Sequence, residues 1–213
     1  PEVKHVILND TNSGNTFMQW EKGLSLATGD YIWIAESDDV ADSTLVSRLV
    51  SALEQSDALI AFAHSEWIDE RGVIIPRNRD KQWKSDFVME GVPFVKKYLL
   101  GYSYICNASA VLFRRSALGG VDMQHVKQYS ASGDRLFWIS LALQGKVTYI
   151  AEPLNRFRQH TNKVSGGAEY EGRNILQDYA IYTHVAPRLC LSRCEQRMVC
   201  GYHWQAIHRP SVS

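Results

Sequence analysis

Between Phe17 and Ala63 the apolar residues change their spacing repeatedly, and that alternation restricts the fold more than any other feature of the chain. Phe17, Trp20, Leu24 and Ala27 recur at steps of three and four, the stripe of a helix. Thr28-Gly29-Asp30 closes it, with Gly29 suited to a left-handed cap. Tyr31-Ile32-Trp33-Ile34-Ala35 then forms a near-continuous apolar run, the kind buried on both faces of a parallel sheet. Leu45, Leu49 and Leu53 return to helical spacing behind Asp42 or Ser43 as N-cap, and Ala58 to Ala63 is another short strand. Upstream, Val3 to Leu8 reads as a buried strand that runs into the turn formers Asn9 to Asn15. Strand and helix in succession predict an α/β core whose crossovers connect a mostly parallel sheet.

The second half adds returning strands, so the sheet is expected to be mixed. Trp67 to Ile74 reads as a hairpin turning near Gly72, and residues 76–90 lack a period and read as a loop. Val92 to Leu100 is a helix, and Ala108 to Phe113 a strand leading into Arg114 and Arg115. Leu136, Ile139 and Leu143 define a helix that starts just after Gly133-Asp134 and is closed by Gly145. Lys146 to Ala151 is the last strand, followed by Pro153 and Arg156 to His160. From about residue 169 the chain reads as helical to about 208, broken at Pro187. The expected organisation is an α/β domain over 1–168 and a helical extension over 169–213.

Charge excludes one class of partner. Lys plus Arg and Asp plus Glu are 23 each, so no general basic field exists to gather nucleic acid. Cys106, Cys190, Cys194 and Cys200 form no CxxC pair, and their number suits reduced thiols rather than a disulfide scaffold. No apolar run approaches the ~18 residues of a membrane span, and no signal segment opens the chain. These features predict a soluble protein of the cytoplasm, able at most to touch the inner face of a membrane.

Ligands of open α/β sheets gather at the carboxyl ends of strands. Beyond Ala35 stands Glu36-Ser37-Asp38-Asp39, three carboxylates in four residues. Such a cluster repels itself and suits a hard cation such as Mg²⁺ or Mn²⁺, held by one or two carboxylates plus substrate phosphates. Asp38 and Asp39 could equally start the next helix, where acidic side chains favour the dipole. Asp134, at the mouth of a periodic helix, is either a reactive carboxylate or a cap. Arg114, Arg115 and the run Arg158-Gln159-His160 follow two other strands and suit a phosphate or metal ligand, although a lone His is more often structural or simply exposed.

Taken in order, several stretches resemble the inverting glycosyltransferase family 2, whose catalytic domain has the nucleotide-diphospho-sugar transferase (GT-A) fold. Asn12-Ser13-Gly14, then Gly23 to Ile32, is similar to the family's Asn-x-Gly and "A-x-G-x-Y-I" passage. Glu36-Ser37-Asp38-Asp39 resembles its DxD region, with Glu in place of the first Asp. Asn107 to Arg115 resembles the strand before the acceptor site, Gly133-Asp134 with Trp138 the catalytic-base segment, and Phe157-Arg158-Gln159-His160 the closing "fR-x-H" element. The resemblance implies Asp39 on a Mn²⁺ or Mg²⁺ ion, Asp38 on the metal shell, ribose or sugar, and His160 on the metal or diphosphate. It implies Asn12, Gly14 and Arg158 against the nucleotide sugar, and Asp134 as general base. The partners implied are a nucleotide-diphospho-sugar donor and a glycan or lipid-linked acceptor, in bacterial surface polysaccharide or related glycan synthesis.

Family members normally open with two further strand–turn units, so the expectation is a GT-A domain truncated by about 60–80 residues at its N-terminus. A missing central strand would leave an open edge and favour a homodimer. Two other readings share the α/β pattern. A nucleotidyltransferase would carry a glycine-rich phosphate loop, which is not found, and a non-catalytic carbohydrate- or partner-binding domain would leave the aspartates inert. A glycoside hydrolase also uses two carboxylates but leaves the Ser-Asp-Asp cluster unexplained.

Overall fold

The computed structural model describes residues 3–76, 83–160 and 168–207. Helix α1 (Thr16–Leu26) starts at Asn15, whose carbonyl oxygen on the side chain accepts the Phe17 amide while its Nδ2 donates to Lys127 O at 2.8 Å. It buries Phe17 and Trp20. Gly29 does not take the expected left-handed cap, because α1 ends at Ala27 in extended backbone and the chain passes directly into β1 (Tyr31–Trp33). The entry is fixed by Arg115, whose amide donates to Asp30 O and whose Nε donates to Gly29 O.

Next come β2 (Val40–Ala41), α2 (Leu45–Ser56), β3 (Ala58–Ile68), β4 (Phe87–Glu90), α3 (Gly91–Tyr98) and β5 (Val111–Arg114). The chain continues through α4 (Met123–Val126), α5 (Gly133–Ala142), β6 (Lys146–Arg158), α6 (Ala168–Val185) and α7 (Arg193–Ile207). The strands form one mixed sheet in the order β1-β5-β3-β6-β2, with β4 also on β6. β3 and β6 run parallel along the longest ladder, and the pairs β1–β5, β3–β5, β2–β6 and β4–β6 are antiparallel. The antiparallel share is therefore larger than strand–helix alternation suggests, because short returning strands flank the two long ones.

Alternation along the strands divides the core. Ile60, Phe62, Val111, Phe113, Val147 and Tyr149 face the side covered by α1, α3 and α5. Ala58, Ala61, Ala63, Leu112, Ile150 and Leu154 face α2, which presents Leu45, Leu49 and Leu53 with no exposed surface. Each such leucine contributes about 1.5–3 kcal/mol of transfer free energy. The C-terminal helices join the first side: Ile181, Tyr182, Val185, Leu189 and Val199 belong to the same buried cluster as the sheet. Among the described residues no helix is long and apolar enough to cross a membrane.

Two expectations fail at the ends of the sheet. Val3 to Leu8 forms no strand, and Val3, Val6 and Leu8 are 77%, 76% and 88% exposed. A strand needs a ladder neighbour, and β1, the edge, pairs with β5 alone among the described residues. For the same reason β1 is not buried on both faces, and Trp33 is partly exposed. Of residues 76–90, expected as a loop, 77–82 lie outside the described residues and Phe87–Glu90 is strand β4. The hairpin at Gly72 is present, with Ile68 bridged to Ile74 and Gly72 at φ 83°.

Candidate functional site

Topology gathers the polar strand ends. β3 and β6 are parallel, and β1 runs with them because β5 is antiparallel to both of its neighbours. The exits of β1, β3 and β6 and the entrance to β5 thus share one end of the sheet. There stand Glu36 to Asp39, Trp67, Phe157 to His160, and Asn107 to Ser109. The orientation of β5 also carries Arg114 and Arg115 to the far end, contrary to their expected place beside phosphate. Arg114 there bonds Leu53 O and Ala58 O and pairs with Glu54.

Asp39 is held from the approach to β5 and from the end of β6. Its Oδ1 accepts the Arg158 amide at 3.0 Å and its Oδ2 accepts Asn107 Nδ2 at 2.7 Å. Beneath it a buried polar chain continues: Ser65 Oγ donates to Asn107 Oδ1, and Asn155 Nδ2 donates to Ser65 Oγ, both at 3.1 Å. The Arg158 side chain closes the other side, with Nε donating to Asp38 O at 2.8 Å and Nη1 donating to Asp69 O at 2.9 Å. His160 Nε2 meets Asp38 Oδ2 at 3.0 Å, and both side chains remain substantially exposed. The Glu36 amide donates to Ser109 Oγ.

Glu36, like Asp39, is half-buried, whereas Asp38 is exposed. Withdrawal from water, with Asp39, Asp38 and Asp134 adding repulsion in that order, pushes the Glu36 carboxyl up to about 7. That last contribution brings Asp134 into the electrostatic neighbourhood of the acidic turn although it lies 98 positions from Glu36 in sequence. Asp134 stands in the first turn of α5; Ser132 holds the N-cap position without a side-chain cap bond, and the Asp134 carboxylate is engaged by the amides of Arg135 and of Asp134 itself. Burial pushes the Asp134 carboxyl up to about 6, against the opposing pull of the Arg135 amide and guanidinium. It faces a cavity of about 250 Å³. Trp67, Tyr102 and Phe157 give this cavity aromatic walls, and Cys106, beside Asn107, and Asn174 complete its rim.

Gly133 lets α5 start so close to α1. A Cβ there would lie 2.5 Å from Phe17 Cε2 and 2.7 Å from Val126 O, one of them backbone. Gly133→Ala is therefore expected to cost about 1–3 kcal/mol in urea unfolding, since α1 or α5 must shift. An unchanged midpoint would mean that the turn carrying Asp134 has room to spare.

Asn12 Oδ1 accepts the Gly14 amide in a local turn, Gly14 has φ 65°, and no hydrogen bond joins either to the acidic turn among the described residues. Ser65, Asn107 and Asn155 were not anticipated as site residues. Their signal was present, since a polar residue inside an apolar strand is buried only with a partner.

As a fit for Mg²⁺ or Mn²⁺, the adjoining Asp38 carboxylate and His160 imidazole offer oxygen and nitrogen donors at an exposed edge. Among the described residues no group of three or more His, Cys, Asp or Glu side chains is arranged to hold an ion. A two-donor edge of this kind fits an ion whose remaining positions are filled by phosphate and water.

The family described as Glycosyl transferase family 2 matches residues 2–119. No curated protein matches the sequence. Among solved structures, S. aureus TarS 1-349 in complex with UDP-GlcNAc is similar at TM-score 0.56 and 13% identity, over 93% of this chain and 64% of that one. A structure of S. aureus TarS gives TM-score 0.62 at 10% identity, over 96% of this chain and 33% of that one. TarS 1-349 with UDP gives 0.54 at 13%, over 94% and 63%. At these identities the likeness is one of fold, and this chain spans under two thirds of each of those chains.

Proposed function

The chain belongs to glycosyl transferase family 2, and from that premise we propose that it moves a sugar from a nucleotide-diphospho-sugar to a hydroxyl acceptor with inversion. The observation that carries this reading is the aromatic-walled cavity at Asp134, whose Phe157 adjoins Arg158, the residue bonded to both Asp38 and Asp39. Asp134 is the general base: an alcohol is a poor nucleophile until its proton is removed, and a carboxylate at about 6 is ionised at neutral pH yet basic enough to accept one. Asp38, Asp39 and His160 form the diphosphate side. Asp39 braces Arg158 and Asn107, while Asp38 and His160 would hold a Mg²⁺ or Mn²⁺ ion. Such an ion, when bound, lowers the cost of negative charge on the departing diphosphate. Arg158 keeps Asp38 in place through the Asp38 carbonyl. Displacement with inversion needs base and leaving group on opposite faces of the sugar, which two carboxylate groups far apart in sequence supply. The aromatic walls suit the apolar faces of an acceptor sugar, as in assembly of a bacterial surface polysaccharide or related glycan.

Unfolding by heat with UDP, GDP or dTDP, each with and without Mn²⁺, tests the donor side. One nucleotide at 100-fold excess over Kd should raise Tm by about 5–10 °C, and only with the ion. The same rise without Mn²⁺ would remove the cation from the reading. No rise with any nucleotide would favour a carbohydrate-binding domain with inert aspartates.

A further inference from the structure

The start of α5 is held in place by α6. Gln177 Oε1 accepts the amides of Ala131 at 2.8 Å and Ser132 at 3.1 Å, and Gln177 Nε2 donates to Ser130 Oγ at 3.4 Å. Ser132 Oγ donates to Asn174 Oδ1, and Asp178 Oδ2 pairs with Arg135 Nη2 at 3.1 Å. Both members of that pair are nearly buried, and Arg135 Nη1 also donates to Gly101 O at 3.5 Å. Residues 174, 177 and 178 are related as i, i+3 and i+4, so they form one face of α6. What they grip is the segment 130–135, with Asp134 inside it. α5 has no side-chain cap of its own at Ser132, so the ordering of its first turn comes from outside the helix.

We propose that this face of α6 is the positioning device for the general base, with Asn174, Gln177 and Asp178 fixing where the Asp134 carboxylate stands in the cavity. The proposal rests on Asp134 being the base. It gives α6 a place in the reaction, because a base displaced by 1 Å costs a rate factor of about 100.

The charged groups facing Asp134 are Arg135 from α5, Asp178 from α6 and Glu36 from the acidic turn, and His203 of α7 stands near Asp178 and Arg135. Asp178 draws the Arg135 guanidinium to itself and adds its own repulsion to Asp134. Without that charge, Arg135 turns to Asp134 as its remaining carboxylate neighbour, and the proton affinity of Asp134 falls.

The test follows the Asp134 carboxyl carbon by NMR titration of the whole chain. Asp178→Asn should lower the midpoint by about one pKa unit. Gln177→Met should leave the midpoint in place but lower kcat by about 10- to 100-fold at unchanged KM for the nucleotide sugar. Gln177→Glu, which keeps an acceptor oxygen for the two amides, should restore kcat to within about threefold. A midpoint unmoved in Asp178→Asn, or parental kcat in Gln177→Met, overturns the proposal. Asp134→Asn separates the two levels: if it keeps its activity, the assignment of the base fails, whereas loss of activity there beside a normal Gln177→Met removes the α6 device alone.

Discussion

Asp134→Asn should abolish transfer and at the same time make the protein harder to unfold at pH 7.5. The loss follows from chemistry: an amide cannot accept the acceptor's proton, and general-base catalysis contributes a factor of about 10²–10⁴. The gain follows from the field at the site. In the folded chain the carboxyl titrates at about 6 rather than 3.8, so between those values the folded state binds more protons than the unfolded one. Stability then falls as pH rises through that window, and the full cost is present above it. At 1.36 kcal/mol per pKa unit the upper bound is about 3 kcal/mol, and partial contact with the cavity reduces it to about 1–2 kcal/mol. Asn carries no charge and escapes the cost, with no advantage left below the lower value. Tm at pH 7.5 and near pH 4, beside turnover, checks both halves. Parental turnover in the variant would take Asp134 out of the mechanism.

Asp39→Ala should damage fold and donor binding together. Its two oxygens accept from Asn107 on the approach to β5 and from the backbone of Arg158 at the end of β6, joining parts of the chain that are otherwise separate. Hydrogen bonds to an ionised group are worth about 1.5–3 kcal/mol each, so losing both predicts a drop of about 3–6 kcal/mol in urea unfolding. Asn107 is 5% exposed, and its amide loses its acceptor where little water can replace it. The nucleotide-dependent rise in Tm should vanish as well, because Arg158 and Asp38 lose their brace. Parental stability with a parental nucleotide response would show that Asp39 braces nothing.

Local pattern made the helices legible. Leu45, Leu49 and Leu53 repeat every four residues, and a helix is decided largely within its own turns, so α2 follows from sequence with its buried face already known. Pairing between strands is non-local, and there the reading slipped. Nothing within Ala108 to Arg115 states that β5 runs against its neighbours, yet this direction alone decides that Asn107, and not Arg114, meets the acidic turn. β4 is too short to display a period, and Val3 to Leu8 has the composition of a strand without a ladder to join. The expected meeting of Asp134 with Asp38 and Asp39 rested on motif order; Asp134 adds repulsion at Glu36, and none of Glu36, Asp38 and Asp39 lines the Asp134 cavity. The grip of Asn174, Gln177 and Asp178 was invisible, because polar residues on a helix read as a solvated face unless the partner is known.

The long ladder of β3 and β6 has an implication for how such a protein diversifies. Its inner stretch, Ile60 to Ala63 beside Val147 to Ile150, is buried throughout, and its outer stretch ends in Trp67, Phe157 and Arg158. The residues that brace the acidic turn are thus continuous with a buried ladder, where a change of volume is felt in the surrounding interior. The opposite wall is assembled from Tyr102, Ser103 and Asn174, supplied by a connecting segment and a peripheral helix. On the proposed function, variation in what the cavity accepts is expected at that wall, while Trp67 and Phe157 stay anchored to the ladder.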